Sequence, residues 1–324
     1  MLVGIAALVA APADGHGAAH NGLIAIATVD RSGGSQIRLF TADVQPRRVV
    51  RVQASVDLPR FSPDGRWLAF WAGPDPDRSV PWIAASDGTS PRPLLPVPDA
   101  REPATEHWGP PVWAPDNRRL AYVDDHANEG STTDVSTIHI IGTNGRGNHP
   151  LSITGWRGST TPRSFALVAW RGSRMLTRSN ASGREFVIDL RRRTVTQLPG
   201  VDSLSPNGRR VACADAGRLS TIDLGTGKRR QITAVTSARG VPVWSPDASA
   251  LAVRTSHGIE IVAANASSAA PRLIRTVATN LAWSPDAMYL LTDRPALIAL
   301  RNGAVVPVRH LSPSSDYGSP LDWQ

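Results

Sequence analysis

The side chains best suited to chemistry lie in three stretches of the first half of the chain. They combine carboxylates, histidines and tryptophans, and they comprise Glu106, His107 and Trp108, then Asp124, Asp125, His126 and Glu129, then Trp156 and Arg157. Carboxylate and imidazole groups from neighbouring loops can hold a divalent metal ion. Tryptophans in such a place can instead anchor a protein or peptide partner. A solvated polar surface with no specific role is the third alternative.

Motifs that would assign a reaction are absent from the sequence. It contains no Gly-x-Ser-x-Gly nucleophile motif, no phosphate-binding loop and no dinucleotide-binding glycine pattern. We therefore assign no catalytic, cofactor-binding or metal-binding residue and no cofactor, and we expect a protein that is not an enzyme. Cys213 is the only cysteine, so an intrachain disulfide is excluded. Its apolar neighbours predict a buried, inert thiol.

Composition points to a chain rich in turns and in arginine. Among 324 residues there are 27 Gly and 27 Pro, and the net charge is +8. This composition excludes collagen, a coiled coil and a membrane protein with several spans. Lys228 is the only lysine among the 35 basic residues. Nucleic acid would explain such charge, but the arginines recur along the whole chain. Protection of strand edges explains that recurrence better, because runs such as Arg47-Arg48, Arg191-Arg192-Arg193 and Lys228-Arg229-Arg230 are expected on outer strands. We therefore expect no nucleic-acid partner.

The elements that position these residues follow from a repeated phrase. An aromatic or leucine precedes Ser/Ala-Pro-Asp/Asn and a small residue, and a short apolar run follows. Copies lie at Phe61–Gly65, Trp113–Asn117, Leu204–Gly208, Trp244–Ala248 and Trp283–Ala287, with a degenerate copy at Trp170–Ser173. Proline favours the turn, Asp or Asn bonds its own backbone, and the last residue takes a left-handed conformation. Ala248 and Ala287 should be strained there by about 1 kcal/mol relative to glycine.

Each repeat divides into four short strands, here named a to d, with the turn joining a to b. Four strands per repeat of roughly 40 residues are typical of a β-propeller. The N-terminal strands Leu23–Val29, Gln36–Thr41 and Arg47–Val52 lack a strand a, and Pro320–Trp323 supplies one. The sequence therefore predicts an all-β, seven-bladed propeller in which the C-terminal strand completes the first blade. Six blades is the alternative, because the turn of blade 4 departs from the pattern.

The Ser-Pro-Asp-Gly turn followed by an apolar strand resembles the WD-repeat-like repeats of TolB-like bacterial propellers. Similar repeats occur in the propeller domains of prolyl-oligopeptidase-type peptidases. The resemblance covers about residues 22–324. It implies the propeller fold, and because the repeated residues build turns and strands it implies no particular activity.

The N-terminus predicts export. Residues Leu2 to Ala13 are apolar and end in Ala11-Pro12-Ala13, a plausible cleavage site. We expect a signal peptide and short linker over residues 1–20, a single propeller domain over 21–324, and a periplasmic or extracellular monomer. No later stretch is long and apolar enough to span a membrane.

Unusually long stretches predict where a site lies. Residues 72–80, 96–111, 124–136 and 153–164 should all emerge on one face of blades 2–4, and long loops on a rigid scaffold often bind partners. We expect a non-enzymatic scaffold that binds a protein or peptide there or at the channel mouth. The alternative is a lyase or glycosidase acting on acidic polysaccharide, with a metal held by groups such as His107, Asp125 and His126.

Overall fold

The architecture was analysed in a computed structural model of the chain. It describes residues 22–29, 34–43, 45–52, 54–99, 109–124, 136–152, 165–179, 182–198, 200, 202–265, 270–276, 278, 280–292, 296–307 and 321–323.

The described residues form seven antiparallel sheets of four strands each, with only one short 3₁₀ turn, Pro76–Arg78. Blades 2 and 3 consist of β4 (Ser55–Phe61), β5 (Trp67–Gly73), β6 (Val80–Ala85) and β7 (Arg92–Pro93), then β8 (Val112–Trp113), β9 (Arg119–Asp124), β10 (Thr137–Gly142) and β11 (His149–Pro150). Blades 4 and 5 consist of β12 (Phe165–Arg171), β13 (Arg174–Ser179), β14 (Glu185–Asp189) and β15 (Thr194–Leu198), then β16 (Ser203–Leu204), β17 (Arg210–Asp215), β18 (Arg218–Asp223) and β19 (Arg229–Ile232). Blades 6 and 7 consist of β20 (Arg239–Trp244), β21 (Ala250–Thr255), β22 (Gly258–Ala263) and β23 (Arg272–Ile274), then β24 (Leu281–Trp283), β25 (Tyr289–Thr292), β26 (Ala296–Ala299) and β27 (Val305–Pro307).

Blade 1 joins the two ends of the chain. It consists of β28 (Leu321–Trp323), β1 (Leu23–Val29), β2 (Ser35–Thr41) and β3 (Pro46–Val50), in that order across the sheet. β28 runs antiparallel to β1, with Ile24 opposite Trp323 and Ile26 opposite Leu321. The predicted seven-bladed propeller and its closure are confirmed. Blade 4 is complete despite its short turn, so the six-bladed alternative is wrong.

The repeated turn between strands a and b has the predicted geometry. In blade 7, Ser284 Oγ donates to Asp286 Oδ1 (2.5 Å) and accepts the Tyr289 N–H (2.9 Å). The last turn residue is left-handed in every copy, including the two alanines: φ is 59° at Ala248 and 57° at Ala287. The serine is therefore the internal partner that closes the turn, and the expected alanine strain is present.

The core lies between neighbouring blades. Ile37 and Val50 of blade 1 pack in one cluster with Phe61 and Phe70 of blade 2, for example. The strand-a tryptophans Trp113, Trp244 and Trp283 are 3%, 6% and 8% exposed, as predicted for core residues. Each donates its indole N–H to a carbonyl near or in strand a of the preceding blade, at Arg60, Ser203 and Val243 respectively. The same side chain thus fills the core and joins two blades.

The arginines do not all lie where the sequence suggested. Arg47, Arg48, Arg229 and Arg230 are exposed on outer strands, as expected. Residues 191–193 instead lie in the turn between β14 and β15, because β15 begins only at Thr194. Asp189 Oδ1 accepts the backbone N–H groups of Arg191 and Arg192 at 3.0 Å and closes that turn. Their placement on a strand was therefore wrong.

Connections between strands differ on the two faces of the ring. We call the face formed by the b-to-c and d-to-a connections the upper face, and the opposite one the lower face. On the upper face the chain takes long connections at 94–111, 125–136 and 151–164, all in blades 2–4, and at 308–320 before β28. In blades 5 and 6, by contrast, the b-to-c connections are only 216–217 and 256–257. No helix in the described part of the chain is long and apolar enough to cross a membrane.

Candidate functional site

Of the nine predicted site residues, the structure describes only Asp124. Asp124 is the last residue of β9 and immediately precedes the connection 125–136. The other predicted residues lie outside the described residues: Glu106, His107, Trp108, Asp125, His126, Glu129, Trp156 and Arg157. The structure therefore describes the strands that flank these connections.

Asp124 belongs to a group of polar and aromatic side chains that we call the blade 2–3 cluster: Trp71, Tyr122, Asp124, His139 and Asn148. The nearest atoms of His139 and Asp124, Nε2 and Oδ2, are 3.9 Å apart, and both side chains are mostly buried. The His139 ring stacks on Tyr122, with 5.4 Å between ring centroids. Tyr122 and His139 are directly opposite on β9 and β10, which places their side chains on the same side of the blade.

Hydrogen bonds fix the other side of this cluster. Tyr122 donates its hydroxyl to Asn148 Oδ1 at 3.0 Å. Burial raises the pKa of Tyr122 to about 12, and the nearby Asp124 charge acts in the same direction, so the phenol stays neutral. Trp71 meets the Tyr122 ring edge-on and donates its indole N–H to the Gly109 carbonyl at 2.9 Å. The end of the 94–111 connection is thereby attached to the cluster.

Nδ1 of His139 is buried, and among the described residues it neither donates nor accepts a hydrogen bond. A buried ring nitrogen without a partner carries a desolvation cost. No sequence signal marked Tyr122 and His139, because inside short alternating strands they are indistinguishable from structural residues. Asn148 lies directly before β11 and carried no signal either.

A second polar group lies on the upper face between blades 4 and 5, the blade 4–5 cluster of Arg178, Glu185 and Asp202. Arg178 Nε is 3.0 Å from Glu185 Oε1, and its Nη2 is 3.7 Å from Asp202 Oδ1. Burial raises the pKa of Glu185 and outweighs the opposing effect of Arg178. Burial also raises the pKa of Asp202, against a hydrogen bond from the Ala214 N–H. Arg178 therefore bridges two carboxylates whose pKa values burial raises.

Metal chemistry requires several ligating side chains at one place, and thiol chemistry requires an accessible thiolate. Within the described part of the chain, no three His, Cys, Asp or Glu side chains come together to hold a metal ion. Asp124 and His139 could supply two metal ligands, but no third His, Cys, Asp or Glu side chain among the described residues joins them. Cys213 is fully buried, and burial raises the pKa of its thiol to about 11. The predicted burial of this thiol is confirmed, and its raised pKa keeps it protonated at neutral pH.

Comparisons with known proteins match the fold. No protein-family model matches the chain, and no curated protein matches its sequence. Among solved structures, a puromycin hydrolase aligns over 92% of this chain and 53% of its own, with a TM-score of 0.62 and 14% identity. An oligogalacturonate lyase in complex with manganese aligns over 85% and 82%, with a TM-score of 0.58 and 12% identity. TolB from Acinetobacter baumannii aligns over 75% and 61%, with a TM-score of 0.50 and 15% identity, so the chain spans less than two thirds of that protein. At these identities the likeness shows the fold alone, and the chain shares the β-propeller architecture of TolB.

Proposed function

We propose that this protein is a non-enzymatic, exported propeller that binds a protein or peptide partner on the upper face of blades 2–4. The observation that carries the proposal is the distribution of connection lengths. The connections 94–111, 125–136 and 151–164 leave neighbouring blades on one face, whereas the b-to-c connections of blades 5 and 6 are minimal. Rigid scaffolds with long connections at one place commonly bind their partners there.

The described residues next to these connections form a rigid support. Trp71, Tyr122 and Asn148 are joined by hydrogen bonds and an edge-on ring contact, and Trp71 also bonds the Gly109 carbonyl. A rigid support of this kind reduces the conformational entropy that is lost when a partner binds. Trp108 and Trp156 are the proposed anchors, because buried aromatic residues dominate interface energetics. We further propose that the protein is periplasmic or extracellular, because its apolar N-terminal stretch resembles a signal peptide. We also propose that it is a monomer.

The proposal is tested by capture of partners from the native envelope or culture medium. The test variant replaces Trp108, His126 and Trp156 with alanine. The control replaces Arg66, Arg146 and Arg209, which are exposed on the lower face. We expect the test variant to lose at least one partner that the wild type and the control both retain. If every captured partner binds the test variant as well as the wild type, the proposed location is wrong.

A second function has one specific observation in its favour. The His139 ring lies beside Asp124 through Nε2, its Nδ1 has no hydrogen-bond partner among the described residues, and Asp124 directly precedes Asp125 and His126 in the sequence. A divalent metal held by these side chains would favour a lyase or glycosidase acting on acidic polysaccharide. The likeness in fold to an oligogalacturonate lyase solved with manganese is compatible with this alternative. Metal analysis of the purified protein and a turnover screen on polyuronides test it. Bound metal together with turnover would support it, and absence of both would remove it.

A further inference from the structure

A cationic cavity lies on the upper face at the junction of blades 6 and 7, across the ring from the long connections. Its volume is about 410 Å³, and its polar lining consists mainly of Arg239, Arg254, Arg275, Ser256, His257 and Thr276. No Asp or Glu is among the described residues that line it. Three guanidinium groups thus share one concave surface without a lining carboxylate.

The strand pairing brings two of these charges together. Arg239 is the first residue of β20, and its partner directly opposite on β21 is Arg254. Residues directly opposite in an antiparallel pair project to the same side, and like charges there are destabilising. Arg275 follows the last residue of β23 and adds a third positive charge. The arrangement therefore has an electrostatic cost that nothing lining the cavity offsets.

The position of Arg254 is defined on two sides. Its Nη1 donates to the Ala278 carbonyl at 3.3 Å, in the connection to blade 7. On the other side lies Gly240, whose φ of 64° is left-handed. A Cβ at Gly240 would lie 2.9 Å from Arg254 Cζ and closer still to Nη2. The absence of a side chain at this position leaves the room that the guanidinium occupies.

Blade 4 provides an internal comparison. Arg178 on β13 and Arg254 on β21 both lie next to the upper-face end of strand b, and both are on the side of the blade that faces the next blade. Arg178 has Glu185 directly opposite on strand c and Asp202 in the following connection. Arg254 instead has Ile259 directly opposite on strand c, and it donates to the Ala278 backbone carbonyl in the following connection. In blade 4 the arginine is neutralised within the protein, whereas in blade 6 it is accompanied by two more arginines.

From this difference we propose that the blade 6–7 cavity is a binding site for a phosphate monoester group. A phosphate monoester carries a charge of about −1.5 to −2 at pH 7 and has three acceptor oxygens. Guanidinium groups bind such oxygens through paired, charge-assisted hydrogen bonds. The Ser256 and Thr276 hydroxyls in the lining are further donors. The ligand thus supplies the negative charge that the two carboxylates supply in blade 4.

The direct test measures binding to the full-length protein by calorimetry, with inorganic phosphate and acetate as probes. We expect phosphate to bind at least about tenfold more tightly than acetate, because its greater charge and third oxygen engage more donors. Equal affinity for the two anions, or no binding of phosphate, would overturn the proposal. Glycerol 3-phosphate in solution and vesicles containing phosphatidic acid present the same group from two sources. Binding of either supports the phosphate class and identifies the source, and binding of neither overturns the proposal.

Single substitutions locate the site. Arg239→Gln and Arg254→Gln should each weaken phosphate binding by about tenfold or more. The matched control is Arg218→Gln, which removes one exposed charge from the upper face of blade 5. Its effect should stay within about twofold, because exposed charges are screened by salt. If Arg218→Gln weakens binding as much as Arg254→Gln, the attraction is a general charge effect and the cavity is not a site.

A glycine pair tests the positioning of Arg254 without removing a charge. Gly240→Ala should weaken phosphate binding because the new methyl group displaces the guanidinium. Gly227→Ala adds the same methyl group at a left-handed glycine of blade 5 (φ 71°) with no atom within 4 Å. It should leave phosphate affinity unchanged while carrying similar backbone strain. Equal loss of affinity in both variants would contradict the role of Arg254, and melting curves of both variants confirm that they are folded.

Discussion

Arginine side chains at the start of strand b join blades 4 and 5 to the blades that follow them. Arg174 and Arg210 donate to the carbonyls of Gly208 and Ala248, which are equivalent left-handed residues in the turns of the following blades. Arg210 also lies over the ring of Trp244, with 5.0 Å from Cζ to the ring centroid. A planar guanidinium can bond a carbonyl and stack on an aromatic ring at the same time. Part of the arginine excess therefore stabilises contacts between blades, in addition to protecting outer edges.

At the same scale, the left-handed alanines give a stability prediction. Ala287→Gly relieves backbone strain of about 1 kcal/mol, but glycine also costs a similar amount of unfolded-state entropy. We expect the free energy of unfolding to change by less than about 0.5 kcal/mol. The control Ala282→Gly lies inside β24, where no strain is relieved, and should lose about 1 kcal/mol. Chemical denaturation measures both, and equal losses would contradict strain at Ala287.

The turn carboxylates give a prediction for pH. Partial burial raises the pKa of Asp247, but hydrogen bonds from Ser245 (2.5 Å) and Ser249 outweigh it and hold that pKa below its usual value. A lowered pKa means that the ionised carboxylate stabilises the fold above its unfolded-state pKa, and that this contribution is lost as the pH falls. Asp247→Asn keeps an acceptor, as Asn207 shows in blade 5.

For Asp247→Asn we therefore expect a lower melting temperature than wild type at pH 7. The difference should shrink as the pH falls below about 3.8, the ordinary pKa of an aspartate. Thermal unfolding across the acid range measures it. A difference that stays constant with pH would show that the charge at Asp247 contributes nothing to stability.

At the scale of elements, closure of the ring depends on one short strand. β28 pairs with β1 through Ile24 opposite Trp323, Ala25 opposite Asp322 and Ile26 opposite Leu321. Without it, the unpaired edge of β1 would face the gap between blades 1 and 7 and would be available to other chains. This strand therefore protects the molecule from edge-to-edge association as well as completing a sheet.

Deletion of residues 321–324 tests this. Each ladder hydrogen bond contributes about 1 kcal/mol net, so we expect the melting temperature to fall by several degrees and some association to appear. The control deletes Gln324 alone, which leaves the three paired residues in place. Calorimetry and size-exclusion chromatography measure the two effects. A shortened chain that melts and elutes like the control would contradict the closure.

The strands were predictable from the sequence because their signals are local. Leu23–Val29 was predicted with its observed bounds and Gln36–Thr41 to within one residue, since glycines precede both runs of extended residues. The polar clusters were not predictable in the same way. Tyr122 and His139 stack across two neighbouring strands. Arg239, at the start of the first strand of blade 6, and Arg275, just after its last strand, line one cavity. Pairing between distant residues depends on the register of the sheets and the order of the blades, which a local pattern does not contain.

At the scale of the whole molecule, the two faces differ in kind. Among the described turns of the lower face, five a-to-b turns are short and repeat one geometry, based on Ser/Ala-Pro-Asp/Asn. The upper face carries the blade 2–3 cluster beside the long connections, the neutralised Arg178 of blade 4, and the cationic cavity at blades 6 and 7. We therefore place both proposed binding sites on the upper face. A macromolecular partner binds at blades 2–4, and an anion binds in the blade 6–7 cavity on the opposite side of the ring.

Hydrogen exchange of the protein alone and in complex with a captured partner tests the central claim most directly. We predict slower exchange in peptides that cover the connections 94–111, 125–136 and 151–164, because a bound partner excludes solvent from their amides. Peptides that cover the lower-face turns, such as 62–66 and 284–288, should exchange at the same rate with and without the partner. Protection confined to the lower face, or spread equally over all seven blades, would contradict the proposed binding surface.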